Sequence, residues 1–207
     1  MAHLSGHLLL HSHRLPPLSA EYVGGKIMIN YLKPMIEKRE ATMKMNGHLY
    51  SNWWKKIRRA AKLTAIEQVY LPFWCFNYSA TTHAVPDGME GRIAIEPLSR
   101  MNAILPIDYD IDVADGEHFP VQKSIGKDSA KDILYWELFA KEKRREKIEV
   151  AILDQWLVYV PYWVGYTKDR DHQYGIIAVD ALNGKVDLPM KDTVISYICS
   201  VDENEMI

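Results

Sequence analysis

Cysteine is nearly missing from this chain: of its 207 residues only Cys75 and Cys199 carry thiols. Two cysteines cannot build a disulfide scaffold or a Cys-x-x-Cys zinc site. Each sits among apolar or β-branched neighbours, so both are expected to be buried, reduced and to act as small hydrophobes. Long apolar runs are also lacking, and with them any membrane-spanning helix. The segment Met1–Ala20 has no acidic residue, but Leu8-Leu9-Leu10 is too short for a secretory signal. It reads as part of the fold, and the protein reads as cytoplasmic. Neither sign of charge is in excess, with 25 Lys and Arg against 27 Asp and Glu. That argues against a surface built throughout for nucleic acid and leaves room for a local basic patch.

Several chemical signatures are absent as well. No Gly-x-Ser-x-Gly elbow, phosphate-cradling glycine loop or dinucleotide fingerprint occurs. Gly24-Gly25-Lys26 and Asn183-Gly184-Lys185 lack the spacing and the following helix of a phosphate loop, and both read as turns. No Pro- or Ser-rich linker divides the chain, so residues 1–207 read as one domain.

What is present is a large core, since 48% of the residues are hydrophobic. Val69-Tyr70-Leu71-Pro72-Phe73-Trp74 and Val158-Tyr159-Val160-Pro161-Tyr162-Trp163 echo one another. Both are β-branched and aromatic, and both read as strands that follow a helical stretch. The proline in each favours an edge, a bulge or a strand entry. One helix is expected from Ser51, as N-cap, to Glu67, with Trp53, Trp54, Ile57, Ala60, Ala61 and Thr64 as its buried stripe. A second is expected from Asp128 or Ser129 to Gln155, with Leu134/Leu138, Tyr135/Phe139 and Ile148/Ile152 as i,i+4 pairs. Its middle, Lys141–Lys147, has no apolar residue and must cross solvent, bridge two packed ends or break. Strands are expected at Ala20–Tyr31, Gly91–Glu96, Ile107–Val113, Tyr174–Ala181, Lys185–Leu188 and Thr193–Val201, with a tight turn at Asn183-Gly184 and an acidic tail at Asp202–Glu205. The fold class is α+β: a mostly antiparallel sheet packed against two main helices.

The most suggestive surface is basic. Lys55, Arg58, Arg59 and Lys62 fall at i, i+3, i+4 and i+7 and would share one helix face, opposite the paired tryptophans. Four cations there suit an acidic protein groove, and less directly a phosphate backbone. A solvated helix face fits the same pattern. In the run Asp108–Glu117 an EF-hand loop fails, because Val113 and Phe119 stand where Gly and Glu are required. The alternation instead makes Asp108, Asp110 and Asp112 the wet face of a strand. His3, His7, His11 and His13 have metal-compatible spacings, yet nothing nearby completes a ligand set, so no metal or cofactor is expected. Tyr70, Phe73, Trp74, Tyr159, Tyr162 and Trp163 would either fill the core or wall a ligand pocket.

The elements Tyr70–Tyr78, Asp128–Gln155, Leu157–Tyr166 and Asn183-Gly184-Lys185-Val186 together resemble the α+β region of uncharacterised bacterial zinc-ribbon proteins. The likeness runs from Val69 onward. In those proteins a Cys-x-x-Cys ribbon comes first, whereas here no cysteine precedes Cys75. The resemblance therefore implies a fold, and neither a zinc site nor an activity. The expected function is a non-catalytic accessory or scaffolding domain that binds another protein through Lys55, Arg58, Arg59 and Lys62, with self-association also open. The alternative is a small-ligand or metal-binding protein, an enzyme included, with the aromatic-walled pocket.

Overall fold

The two aromatic segments that echo one another in sequence pair with one another in space. In the computed structural model, residues 21–23, 26–51, 61–83, 85–115, 119, 121, 123–141 and 147–205 are described. In chain order the elements are β1 (Glu21–Val23), β2 (Lys26–Leu32), α1 (Lys38–Ser51), β3 (Lys62–Thr81), β4 (Met89–Ile95), β5 (Asn102–Leu105), β6 (Ile111–Asp115), α2 (Lys127–Lys141), β7 (Glu149–Lys168), β8 (Tyr174–Asp180) and α3 (Met190–Glu205). The α+β class holds. One 8-stranded sheet runs β1-β2-β7-β3-β4-β5, with β6 added beside β2 and β8 beside β7. Every pairing is antiparallel except the brief β2–β7 contact at Tyr31 and Tyr159.

β3 and β7, each 20 residues long, are antiparallel partners along their whole length. Leu71 pairs with Val160, its own counterpart in the echo, so a pseudo-two-fold axis passes through that pair. The offset that relates Val69 to Val158 also relates Ile36 to Ile125, Ala41 to Ala130 and Met45 to Leu134. These helix positions behave alike: Ala41, Met45, Ala130 and Leu134 are all fully buried. The Trp74 indole N–H donates to the Lys123 carbonyl at 3.0 Å, and the Trp163 indole N–H donates to the Ile36 carbonyl at 2.7 Å. The chain is thus a tandem repeat of helix, long strand and short strand.

Each helix packs on strands of both repeats. α1 lies on Trp163, Ile177 and Val179 of the second repeat's hairpin and on Leu63 and Ile66 of β3. α2 lies on Trp74, Ile93 and Ile95 of the first repeat's hairpin and on Val150 and Leu157 of β7. Side-chain alternation places both helices on one face of the sheet. The opposite face, with Phe73, Cys75, Val158, Val160 and Tyr162, is covered by Met190, Val194 and Tyr197 of α3. Gly165 lets α1 approach, since a Cβ there would lie 2.4 Å from the Met45 sulfur.

The prolines sit where the sheet changes neighbours. The Pro161 carbonyl accepts the Ala181 N–H at 3.1 Å, so this residue's backbone polar side faces away from β3. Its missing N–H falls between the β2 contact at Tyr159 and the β8 ladder beginning at Tyr162. Pro72 holds the equivalent place, just before β4 begins to pair at Trp74. Neither proline removes a ladder donor that a neighbour needs.

Five expected elements are corrected. Of the helix expected over Ser51–Glu67, residues 52–60 lie outside the described residues, Ser51 is the last residue of α1, and Lys62–Glu67 is strand, because it pairs with Val164–Lys168 of β7. The second helix stops at Lys141, and residues from Glu149 are strand. Ile148, Val150 and Ile152 point into the core at period two, a pattern that coexists in sequence with the i,i+4 pair Ile148/Ile152. Thr193–Val201 is helix within α3, whose Met190, Val194 and Tyr197 are buried at helical spacing despite β-branched neighbours. The strand at Ile107–Val113 shortens to β6, since Pro106 opens a turn that the Tyr109 N–H closes at 3.3 Å. Lys185–Leu188 contributes only a single bridge, Val179 with Val186.

Candidate partner-binding surface

Of the basic positions, Lys55, Arg58 and Arg59 lie outside the described residues, as do His3, His7, His11 and His13. Lys62 is the exposed first residue of β3, paired with Lys168. It therefore cannot complete a four-residue helix face with the other three, because a strand begins where that face would have continued. Among the described residues no group of three or more His, Cys, Asp or Glu side chains is placed to hold a metal ion. Asp112 is the one strand aspartate with a close cation, the Lys33 ammonium at 2.7 Å.

The six strand aromatics do not wall a common pocket. Phe73 and Tyr162 lie in the core under α3, Trp74 and Tyr159 in the core under α2, and Trp163 under α1. Strand alternation sends them to opposite faces. Tyr70 is half-buried and meets Tyr31 edge-on at 5.7 Å. Burial pushes the Tyr159, Tyr162 and Tyr197 phenols well above the ordinary tyrosine range.

The acids Glu96 and Asp180 are committed to the scaffold. After β4 and β8 the chain makes the same turn twice, in Ile93-Ala94-Ile95-Glu96-Pro97-Leu98 and Ile177-Ala178-Val179-Asp180-Ala181-Leu182. Glu96 is fully buried. Its Oε2 accepts the Leu98 N–H at 2.9 Å, the Ser99 N–H at 2.6 Å and the Ser99 hydroxyl at 2.7 Å. Its Oε1 accepts the Tyr197 hydroxyl at 2.7 Å. Asp180 accepts the Leu182 N–H at 2.7 Å in the matching position, and burial raises its carboxyl above the usual range. In both turns the residue four positions after the acid returns its N–H to the acid's carbonyl: Arg100 at 2.9 Å and Gly184 at 2.8 Å. Both adopt positive φ, 60° and 72°. This second echo was present in the sequence but hidden by conservative differences, Glu for Asp and Arg for Gly.

Outside the core, α2 carries an aromatic ridge. Tyr135 and Phe139, one turn apart, are stacked with centroids 5.9 Å apart, and Trp136 meets both edge-on at 5.5 and 5.9 Å. Tyr135 and Phe139 also touch the core, whereas Trp136 is 66% exposed. The repeat supplies an internal control. The offset relating Ala41 to Ala130 places Gly47 of α1 at the position of Trp136. A Cβ on Gly47 would meet nothing within 4 Å. A helix in this packing position needs no side chain there, so Trp136 is not explained by the scaffold. Sequence reasoning missed it because one of 6 tryptophans beside a leucine-rich stripe reads as core.

The two cysteines differ. Cys75 is buried, and burial pushes its thiol up to about 12. Cys199 is exposed on α3, against expectation, because Ile198 and Tyr197 take the inward positions of that turn. Among the described residues no helix is long and apolar enough to cross a membrane. Comparison of the chain with protein-family models, curated proteins and solved structures found no match.

Proposed function

We propose that this protein is a non-catalytic accessory domain that docks on another protein. The observation that carries the reading is Trp136: a large, exposed aromatic held upright by two ring contacts, at a helix position where the sister repeat has glycine. Rigid aromatic anchors of this kind concentrate binding energy at protein interfaces. The cations Lys55, Arg58, Arg59 and Lys62 suit a separate, acidic contact on the partner. The scaffold's own polar groups fit this reading too, since Glu96, Asp180 and the indoles of Trp74 and Trp163 are spent on holding turns and helices in place.

Two variants test it: Trp136→Ala, and the combined reversal of Lys55, Arg58, Arg59 and Lys62 to Glu. Quantitative cross-linking and affinity capture should lose the same partner in the first variant, with thermal stability unchanged. The reversal should slow association and make it less salt-dependent. Full capture by both variants would refute the docking function.

A further inference from the structure

The pseudo-two-fold axis sets α1 and α2 at opposite ends of the long strands, on one face of the sheet. α1 lies over the start of β3 and the end of β7, and α2 over the converse ends. Their outward stripes differ in a matched way. α1 presents Arg39, Met43, Gly47 and Tyr50, all exposed. Gly47 is a gap in this stripe, because a Cβ there would meet nothing within 4 Å. Met43 and Tyr50 stand one turn to either side of it, 59% and 54% exposed. The offset between the repeats places Asp128, Asp132, Trp136 and Phe139 at the same positions of α2. Trp136 thus fills on α2 the position left empty on α1. Asp128 is an exposed acid where α1 has the exposed base Arg39, and neither is in an ion pair among the described residues.

We infer that this helical face binds a second copy of the chain, with Trp136 of each copy entering the gap at Gly47 of the other. The inference rests on the docking role of Trp136 and names its partner. A second copy turned over about an axis that crosses β3 and β7 in the plane of the sheet brings its α1 onto α2 of the first. It also brings its α2 onto α1, so one contact is made twice in a closed pair. In each contact the helices run in the same direction, and equivalent positions of the repeat face one another. Trp136 then enters between Met43 and Tyr50, a large side chain against none, and Asp128 meets Arg39, acid against base. Phe139 faces Tyr50, and Asp132, facing Met43, is the one unmatched position of the four. Pairing like helices in the same direction would instead set Trp136 against Trp136 and Asp128 against Asp128. Two helix pairs, each about 21 Å long and about 10 Å wide, bury on the order of 1,000 Å², the low end for a specific interface, so dissociation in the micromolar range is expected.

The experiment is sedimentation velocity of the full chain from about 1 to about 200 µM, which should show a reversible dimer with a micromolar Kd. Trp136→Ala, and Gly47→Glu, which fills the gap with a charge, should each stay monomeric across that range. Both positions are exposed, so at the dilute end each variant should keep the parent circular dichroism and melting temperature. Arg39→Asp and Asp128→Arg should each weaken the dimer by about ten-fold, because the pair occurs twice, and the double variant should restore it. A parent chain still monomeric at about 200 µM would overturn the inference. So would a dimer that survives Trp136→Ala or Gly47→Glu, or a double charge variant no tighter than the single ones. Affinity capture separates this result from the docking role itself. A protein lost in Trp136→Ala but held by Gly47→Glu would overturn the second copy as the partner and leave docking through Trp136 in place.

Discussion

Replacing Tyr197 with phenylalanine should expose how much the buried acid contributes to joining α3 to the sheet. The hydroxyl donates to Glu96 Oε1 at 2.7 Å, and both side chains are fully buried. A hydrogen bond to a charged group contributes about 1.5–3 kcal/mol, and its loss leaves Oε1 short of a donor in a site closed to water. For a chain of this size each kcal/mol is worth about 2–4 °C in melting temperature, so Tyr197→Phe should lower it by about 3–12 °C. Ser99→Ala gives the internal comparison. It removes one of three donors to Oε2, while the Leu98 and Ser99 backbone N–H groups remain. Its cost should be smaller, about 0.5–1.5 kcal/mol. Urea denaturation followed by far-ultraviolet circular dichroism and by calorimetry measures both. A Tyr197→Phe loss below about 0.5 kcal/mol, with an unchanged denaturant slope, would refute the assignment of Glu96 as the buried anchor of α3.

Two further outcomes follow from the same structure. The folded chain holds the phenols of Tyr159, Tyr162 and Tyr197 above their ordinary range by burial, so above pH 10 the unfolded chain releases protons that the folded chain retains. Their contribution to stability is then constant below the ordinary tyrosine pKa and falls as pH rises past it, by about 1.4 kcal/mol per pH unit for each phenol, added to a decline from the raised Cys75 thiol that begins near the ordinary thiol pKa. Denaturant midpoints measured from pH 8 to 12 should decline with that combined slope, and a flat profile would contradict the burial of these rings. The paired turns make reciprocal predictions: Arg100→Gly relieves a left-handed side chain and should gain about 0.5–1 kcal/mol. Gly184→Ala adds a Cβ at φ 72°, 3.3 Å from Ile36 Cδ1, and should lose about 1–2 kcal/mol in the same assay.

The legible part of this fold was the part with one period. Val69–Trp74 and Val158–Trp163 combine β-branched and aromatic residues with no competing helical stripe, and both are strands. Tyr174–Asp180 and the turn at Asn183-Gly184 were readable for the same local reason. Lys62–Glu67 and Ile148–Gln155 were not, since Leu63 fits both Ala65 at period two and Ile66 at helical spacing, and Ile148, Val150 and Ile152 fit both period two and period four. A long-range partner decided between them: β3 and β7 supply each other's ladder across the chain. α1 was missed for a different cause. Its helix Lys38–Ser51 buries only Ala41 and Met45 fully, with Leu49 in partial contact, so it has almost no stripe to detect. The candidate surface shows the same limit. Charge spacing singled out Lys55, Arg58, Arg59 and Lys62, whereas the exposure of Trp136 is a property of packing, and sequence alone does not display packing.

The tandem repeat offers a criterion for function that composition could not. Because α1 and α2 each pack on strands of both repeats, the units share their core, and side chains needed for that packing are expected in both copies. They do: Trp74 with Trp163, Ile36 with Ile125, Ala41 with Ala130, Glu96 with Asp180. Residues present in one copy alone are free of that constraint. Trp136 against Gly47 falls in this class, on the aromatic ridge of α2. A residue that the shared scaffold does not require is the one to test for function, and this one directs the proposed docking to α2.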